Sequence, residues 1–244
     1  MREQSEFMTY LRKSEDRGHV QAGWLDSRHT FSFGDYFDPK HMSFKSLRVI
    51  NEDYIAGGNG FGAHPHKDME IITYMVSGAL KHKDSTGQEG VIVPGEVQMM
   101  TAGRGIVHSE VNASPADKAH LLQIWIHPKE RGLEPSYQQK NFSEELKPDS
   151  KEWTLLVSPH DSKTDLNSLK IHQDLRLWAR KFGEGESLQK ELDRSSSVWV
   201  QVVSGTLEWE GQTLSAGDGL GIDTLGILKL HAKSKGEVLL FVFQ

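Results

Sequence analysis

The stretch "GFGAHPHKDMEIITYMVSGAL", Gly60 to Leu80, holds two histidines one residue apart, a carboxylate four residues after the second, and an apolar run that ends at Ser77-Gly78. The run has the β-branched and aromatic composition of a strand and closes on a turn pair. Side chains at i and i+2 of a strand point to the same face, so His64 and His66 can both reach one ion. The stretch therefore reads either as a metal site at the mouth of a β-barrel or as an ordinary strand that contains two histidines. The pair alone does not decide, because 12 histidines in 244 residues give about 0.6 such pairs by chance.

Outward from this stretch, "TAGRGIVHSE" (Thr101 to Glu110) supplies a second same-face pair, His108 and Glu110, just after Gly103-Arg104-Gly105. The two glycines suit a tight turn that aims His108 inward, and equally a plain hairpin loop. The two pairs bracket about forty residues rich in hairpin signals, enough for two strands of one small barrel to meet. Three imidazoles and one carboxylate then converge. Glu70 shares their parity and competes with Glu110 as the fourth ligand, and position alone does not choose between them. For His29, His41, His82, His120, His127, His160, His172 and His231 the expectation is hydrogen-bonded structure or surface, since a metal site needs several ligands together.

Around these motifs the chain is rich in short β-type runs: "EIITYMV", "GVIV", "EVQMMT", "LLQIWIH", "WTLLVS", "VWVQVV", "TLEWE" and "EVLLFVF". With 23 glycines and frequent turn pairs, they predict an all-β protein. Leu121 to His127 alternates as a half-buried strand does, and "SLKIHQDLRLWARKF" (Ser168 to Phe182) is open to strand or helix. "VSGAL" at Val76 returns as "VSGTL" at Val203, and "PGE" at Pro94 is echoed by "AGD" at Ala216, so two related barrels in tandem are expected. The polar, proline-bearing residues 131–150 have linker composition, which places an N-terminal domain at 1–130 and a C-terminal domain at 151–244.

Composition narrows the function further. With no cysteine, any metal must be held by His and carboxylate. Lys plus Arg is 28 against 34 Asp plus Glu, a formal charge of −6 without like-charge blocks, which argues against nucleic acid. No apolar run approaches a membrane span, the longest being "VLLFVF", so a cytoplasmic protein, read as a monomer, is expected. The seven residues before Met8 read as an upstream extension or an expression remnant, and "RKSEDR" (Arg12 to Arg17) reads as solvated surface.

Taken together, "HPHKDMEIITYMVSGALKHKDSTG", "VIVPGEVQMMTAGRGIVHSE", "LLQIWIHPKERGLEPSYQ" and "GWLDSRHTFSFGDYFDP" resemble the pirin family, specifically its bacterial quercetin 2,3-dioxygenase members, over nearly the whole chain after Met8. The resemblance implies a bicupin, two jelly-roll-like barrels with one mononuclear metal in the first. It also implies the ligand set His64, His66, His108 and Glu110, leaving Glu70 as a supporting or substitute group. Gly103-Arg104-Gly105 in place of a Pro-x-Gly turn departs from general cupins but is shared by pirins. Projection of the repeat puts Glu191, Asp193, Leu230 and Ala232 at the ligand positions, so the C-terminal barrel is expected to lack the site.

Three imidazoles and one carboxylate leave a divalent ion near +1 with two open positions, a set that suits Fe(II) and also admits Mn, Co, Ni, Cu or Zn. The implied activity is oxygenation of a flavonol by dioxygen with loss of carbon monoxide, Glu110 acting also as general base. Phe61, Met69, Met100 and Trp125 are candidates for an aromatic-substrate pocket, or else core. The other class of function is a metal- or redox-sensing bicupin with a protein partner and incidental turnover.

Overall fold

The computed structural model describes residues 9–244, so the nature of residues 1–7 lies outside the described residues. The first strands in chain order are β1 (Thr9–Arg12), β2 (Gly18–Gln21), β3 (Leu25–His29), β4 (Leu47–Ile55), β5 (Gly60–His66) and β6 (Glu70–Ser77). They are followed by β7 (Leu80–Asp84), β8 (Glu89–Ile92), β9 (Glu96–Thr101), β10 (Ile106–Asn112), β11 (Ala119–Ile126) and β12 (Ser136–Asn141). The chain continues with β13 (Thr154–Pro159), β14 (Leu169–Ile171), β15 (Leu175–Phe182), β16 (Ser187–Glu191) and β17 (Ser197–Ser204). It ends with β18 (Thr206–Trp209), β19 (Gln212–Ser215), β20 (Gly219–Ile222), β21 (Ile227–Ala232) and β22 (Gly236–Phe243).

Each of the eight β-type runs lies on one of these strands, and Ser168 to Phe182 resolves into β14 and β15 rather than a helix. The two "VSG" repeats occupy equivalent turns, joining β6 to β7 and β17 to β18. β11 departs from the half-buried expectation. Only His120 and Trp125 are partly exposed, because it lies inside its sheet between β6 and β4. Among the described residues no helix is long and apolar enough to cross a membrane.

Two compact units result, and neither is contiguous in sequence. The first comprises residues 17–145 and 156–174, the second residues 9–16, 146–155 and 175–244. They do not coincide with boundaries at 130 and 150. β1 pairs antiparallel with β20, and the expected linker carries β12, which pairs with β9. β12 can stay polar because it lies at the sheet edge, where Gln139 finds partners in Val91 O and Glu96. "RKSEDR" is likewise not all surface: Arg12 and Arg17 are buried, and Arg17 donates to Glu52 at 2.5 Å.

In the first unit a sheet of order β12-β9-β6-β11-β4-β3-β2 packs against a smaller one, β5-β10-β7-β8. Apolar residues from both close the sandwich as two separate clusters. One joins Ile55, Met75 and Leu121 to Leu80 and Ile92, and the other joins Ile71 and Met100 to Ile106. In the second unit β20-β17-β22-β15 packs against β16-β21-β18-β19 around one continuous cluster. Leu230 and Ala232 belong to that cluster, so the positions projected onto His108 and Glu110 are apolar core.

The break between the two clusters of the first unit has a definite cause. His29, Asn51, Gln123, Thr73 and Gln98 are successive cross-strand partners on β3, β4, β11, β6 and β9, and all five are buried. Directly paired residues share a face, so these side chains form a polar row across the floor of the barrel. Leu220, Val200, Leu240 and Trp178, successive partners in the second unit, form an apolar row instead. A buried polar group without a partner costs about 1–3 kcal/mol, so a wholly polar row marks where stability is exchanged for function.

Candidate metal centre

β5 and β10 pair with His108 opposite His64 and Ile106 opposite His66. Two glycines make this approach possible. A Cβ on Gly60 would lie 2.2 Å from Glu110 O, so only glycine lets the start of β5 close onto β10. Gly103 has φ +48°, and a Cβ there would meet Leu133 O at 2.0 Å, which accounts for the Gly-Arg-Gly turn that launches β10. Pro65 is tolerated between the two histidines because β5 is an edge strand.

The imidazoles of His64, His66 and His108 converge, with ring centroids 4.5 to 4.8 Å apart and candidate ligand nitrogens all within 4.8 Å of one another. His64 Nε2 lies 3.0 Å from His108 Nε2. The tautomers follow from the partners. Gly62 O can only accept, so His64 Nδ1, 2.7 Å away, carries the proton and Nε2 presents its lone pair. Burial, with the neighbouring rings adding to it, lowers the His108 pKa to about 3 and that of His66 to about 4. Both are neutral in ordinary buffers, as metal ligation requires.

Glu110 is placed differently. Its Oε2 accepts from Gln123 Nε2 at 2.7 Å, and Thr73 Oγ1 lies 3.3 Å from its Oε1. With its burial it groups with His108 and His82 rather than with all three imidazoles, yet it lines the same cavity as His64 and His66. Burial, reinforced by the neighbouring Asp53, raises its pKa to about 7 against the hydrogen bonds from Thr73 and Gln123. Asp53 is itself raised to about 6 by burial, opposed by the hydroxyl of Ser27. Glu70 belongs to neither group. It is buried, accepts from Thr101 at 3.1 Å, and is raised to about 7 by desolvation.

His82 is hydrogen-bonded structure, as expected, and one of its partners is a histidine of the centre. Its Nε2 donates to Asp84 Oδ2 at 2.9 Å, which leaves Nδ1 to accept from His108 Nδ1 at 3.4 Å and Gln98 Nε2 at 3.3 Å. Asp84–His82–His108 is thus a chain that fixes His108 with Nε2 turned toward His64, the second layer of support that metal-binding imidazoles characteristically have. The signal in the sequence was His82-Lys83-Asp84, a same-face pair on β7.

Beside the imidazoles opens a cavity of about 260 Å³ lined by Leu25, Phe33, Phe61 and Trp125 together with Ser27, His29, Asn51, Asp53 and Gln123. Trp125 meets the His66 ring edge-on at 4.8 Å. Of the pocket candidates, Phe61 and Trp125 line the cavity. Met100 does not, being fully buried with Ile71, Ala102 and Ile106, and Met69 packs against that cluster. Neutral nitrogen donors converging beside a carboxylate fit a divalent transition ion, His64, His66 and His108 facing it and Glu110 at hand.

Two tandem β-sandwich units, one interrupted by a histidine-rich centre and the other closed by one continuous apolar cluster, define a metal-binding bicupin. The pirin family model matches residues 10–126, and that of the quercetinase C-terminal cupin domain matches residues 155–242. The chain belongs to the pirin family. It is 46% identical over 234 residues to the quercetin 2,3-dioxygenase of Escherichia coli K12, covering 96% of this chain and 98% of the relative. It is 40% identical to a putative quercetin 2,3-dioxygenase of Pasteurella multocida, covering 96% and 99%. The crystal structure of YhhW from Escherichia coli superposes with a TM-score of 0.90 at 45% identity, covering 97% of this chain and 98% of that one. The nickel(II) complex of the bacterial pirin YhhW gives 0.89 at 45% identity, covering 97% and 99%.

Proposed function

We propose that the protein is a metal-dependent dioxygenase that cleaves a flavonol such as quercetin, consuming dioxygen and releasing carbon monoxide and a depside. His64, His66, His108 and Glu110 would hold one divalent ion, Fe(II) by preference, with Glu70 outside the set. The observation that carries this reading is the convergence of three imidazoles at one end of an aromatic-lined cavity. The relatives named for quercetin dioxygenation support the substrate class, and the nickel(II) complex of a related pirin supports a divalent ion.

A bound ion, held by His64, His66, His108 and Glu110, would supply a Lewis-acid centre that acidifies the flavonol 3-hydroxyl. Glu110 would take the hydroxyl proton on a carboxylate oxygen, as its place on the cavity wall favours. Leu25, Phe33, Phe61 and Trp125 receive the planar rings and exclude water. The reaction belongs to the N-terminal cupin domain, and the C-terminal domain serves as scaffold. A monomer working in the cytoplasm completes the proposal.

An aerobic assay on metal-loaded protein tests it. Quercetin is expected to disappear with equimolar oxygen uptake and carbon monoxide release, and both stop when the metal is chelated. Stoichiometric metal without turnover overturns the dioxygenase reading and favours a metal-sensing role.

A further inference from the structure

The polar row has two ends with different fates. Gln123 and Thr73 hold Glu110, and Gln98 holds His82, so this part of the row serves the metal centre. Asn51 and His29 continue the row beyond Gln123 and have no such task. They are 3% and 5% exposed, and both line the cavity. The two side chains lie side by side, close enough for Asn51 to act as a hydrogen-bond acceptor that raises the His29 pKa, but the contact falls outside strict hydrogen-bonding geometry and neither ring nitrogen of His29 nor Oδ1 of Asn51 has another protein partner.

Two adjoining buried polar side chains with no better partner than each other on a cavity wall are unusual in a native fold and point to a ligand that satisfies them. Neighbouring strands lie about 4.8 Å apart, so His29 on β3 stands two strand spacings, roughly 10 Å, from Gln123 on β11. A ligand facing the histidines with one oxygen and His29 with another must therefore be elongated. Leu25, Phe33, Phe61 and Trp125 require it to be largely apolar, and the aromatic faces among them favour a planar one.

We infer that His29 and Asn51 form a binding site for the ring hydroxyls of the flavonol at the end remote from the oxygen that faces the metal centre. This assignment rests on the flavonol reading and names what that reading leaves open, the groups that recognise hydroxylation away from the reacting ring. His29 is neutral because burial lowers its pKa to about 4, so it offers one donor and one acceptor. The Asn51 amide oxygen accepts. Together they match hydroxyl groups, which both give and take hydrogen bonds.

The test uses Asn51→Leu and His29→Phe in the full, metal-loaded chain, with quercetin and a flavonol that keeps the 3-hydroxyl but lacks the hydroxyls of the pendant ring. Dissociation constants are measured without oxygen, beside metal content and thermal midpoint. Wild type is expected to prefer quercetin, and each variant to bind it about tenfold more weakly, with the preference reduced toward one. Metal content should hold, and the ligand-free midpoint should stay level or rise, because a buried group without a partner has been removed. Variants that keep the full preference overturn the assignment and leave the dioxygenase reading intact. So do variants that lose metal and melt earlier, since their residues are then structural. A wild type that binds no flavonol overturns both.

Discussion

His108→Ala is expected to empty the centre: metal per chain falls from about one to near zero, and affinity drops by more than about 100-fold. Among the described residues His108 is the one common to both ligand groups, facing His64 through Nε2 and His82 through Nδ1. His82→Ala provides the scale. It removes an orienting partner rather than a ligand, and such changes typically cost about 10- to 100-fold in metal affinity. The order His108→Ala worse than His82→Ala, measured by competition with a chromogenic chelator, checks the roles. Equal losses would place the ion in the second group, with His82 as a ligand. The folded state should survive, because His108 is neutral in ordinary buffers and its removal strands no buried charge.

The second large effect concerns Glu110 and runs through protons. In the metal-free protein its carboxyl titrates at about 7, so at pH 6 it is mostly protonated and must release that proton to become a ligand. Apparent metal affinity should fall about tenfold for each pH unit below 7. Wild type should release about one more proton per ion bound at pH 6 than Glu110→Gln, read by calorimetry in buffers of different ionisation enthalpy. The same shift bears on stability. A carboxyl whose folded pKa is raised holds its proton more tightly when folded, so stability falls as pH rises from about 4.5 to about 7 and the full cost persists above. For Glu110 that cost is on the order of 3 kcal/mol. Metal-free Glu110→Gln should therefore melt higher than wild type at pH 8 and level with it at pH 5. Turnover close to normal with metal retained would remove Glu110 as the base.

Much of this was legible from local sequence. The eight β-type runs, the paired "VSG" turns and the Gly-Arg-Gly turn before His108 are signals written within a few residues, and the strands formed where they predict. His64, His66 and His108 could be named because two short same-face pairs announce them. The polar row could not. Asn51, Thr73, Gln98 and Gln123 each look like an isolated polar residue in an apolar strand, and only the register of five strands places them side by side. His82 was passed over because its partner His108 lies 26 residues away, although Asp84 two residues on was a usable hint. Composition at residues 131–150 is ambiguous for a related reason: polar, proline-bearing sequence marks a linker or an edge strand alike, and β12 within it is an edge strand. Met69 and Met100 were pocket candidates by residue type alone, whereas the cavity follows the face that carries Phe61 and Trp125.

One cation is expected to sit between β5 and β10 of the first unit. Anomalous diffraction from crystals of the protein loaded with nickel(II) or iron(II) tests it most directly. A single peak within ligand distance of Nε2 of His64 and His108, with His66 and Glu110 completing the set, is the expected result. An empty centre in metal-loaded crystals, or a peak bound elsewhere while these imidazoles stay paired to one another, would contradict it.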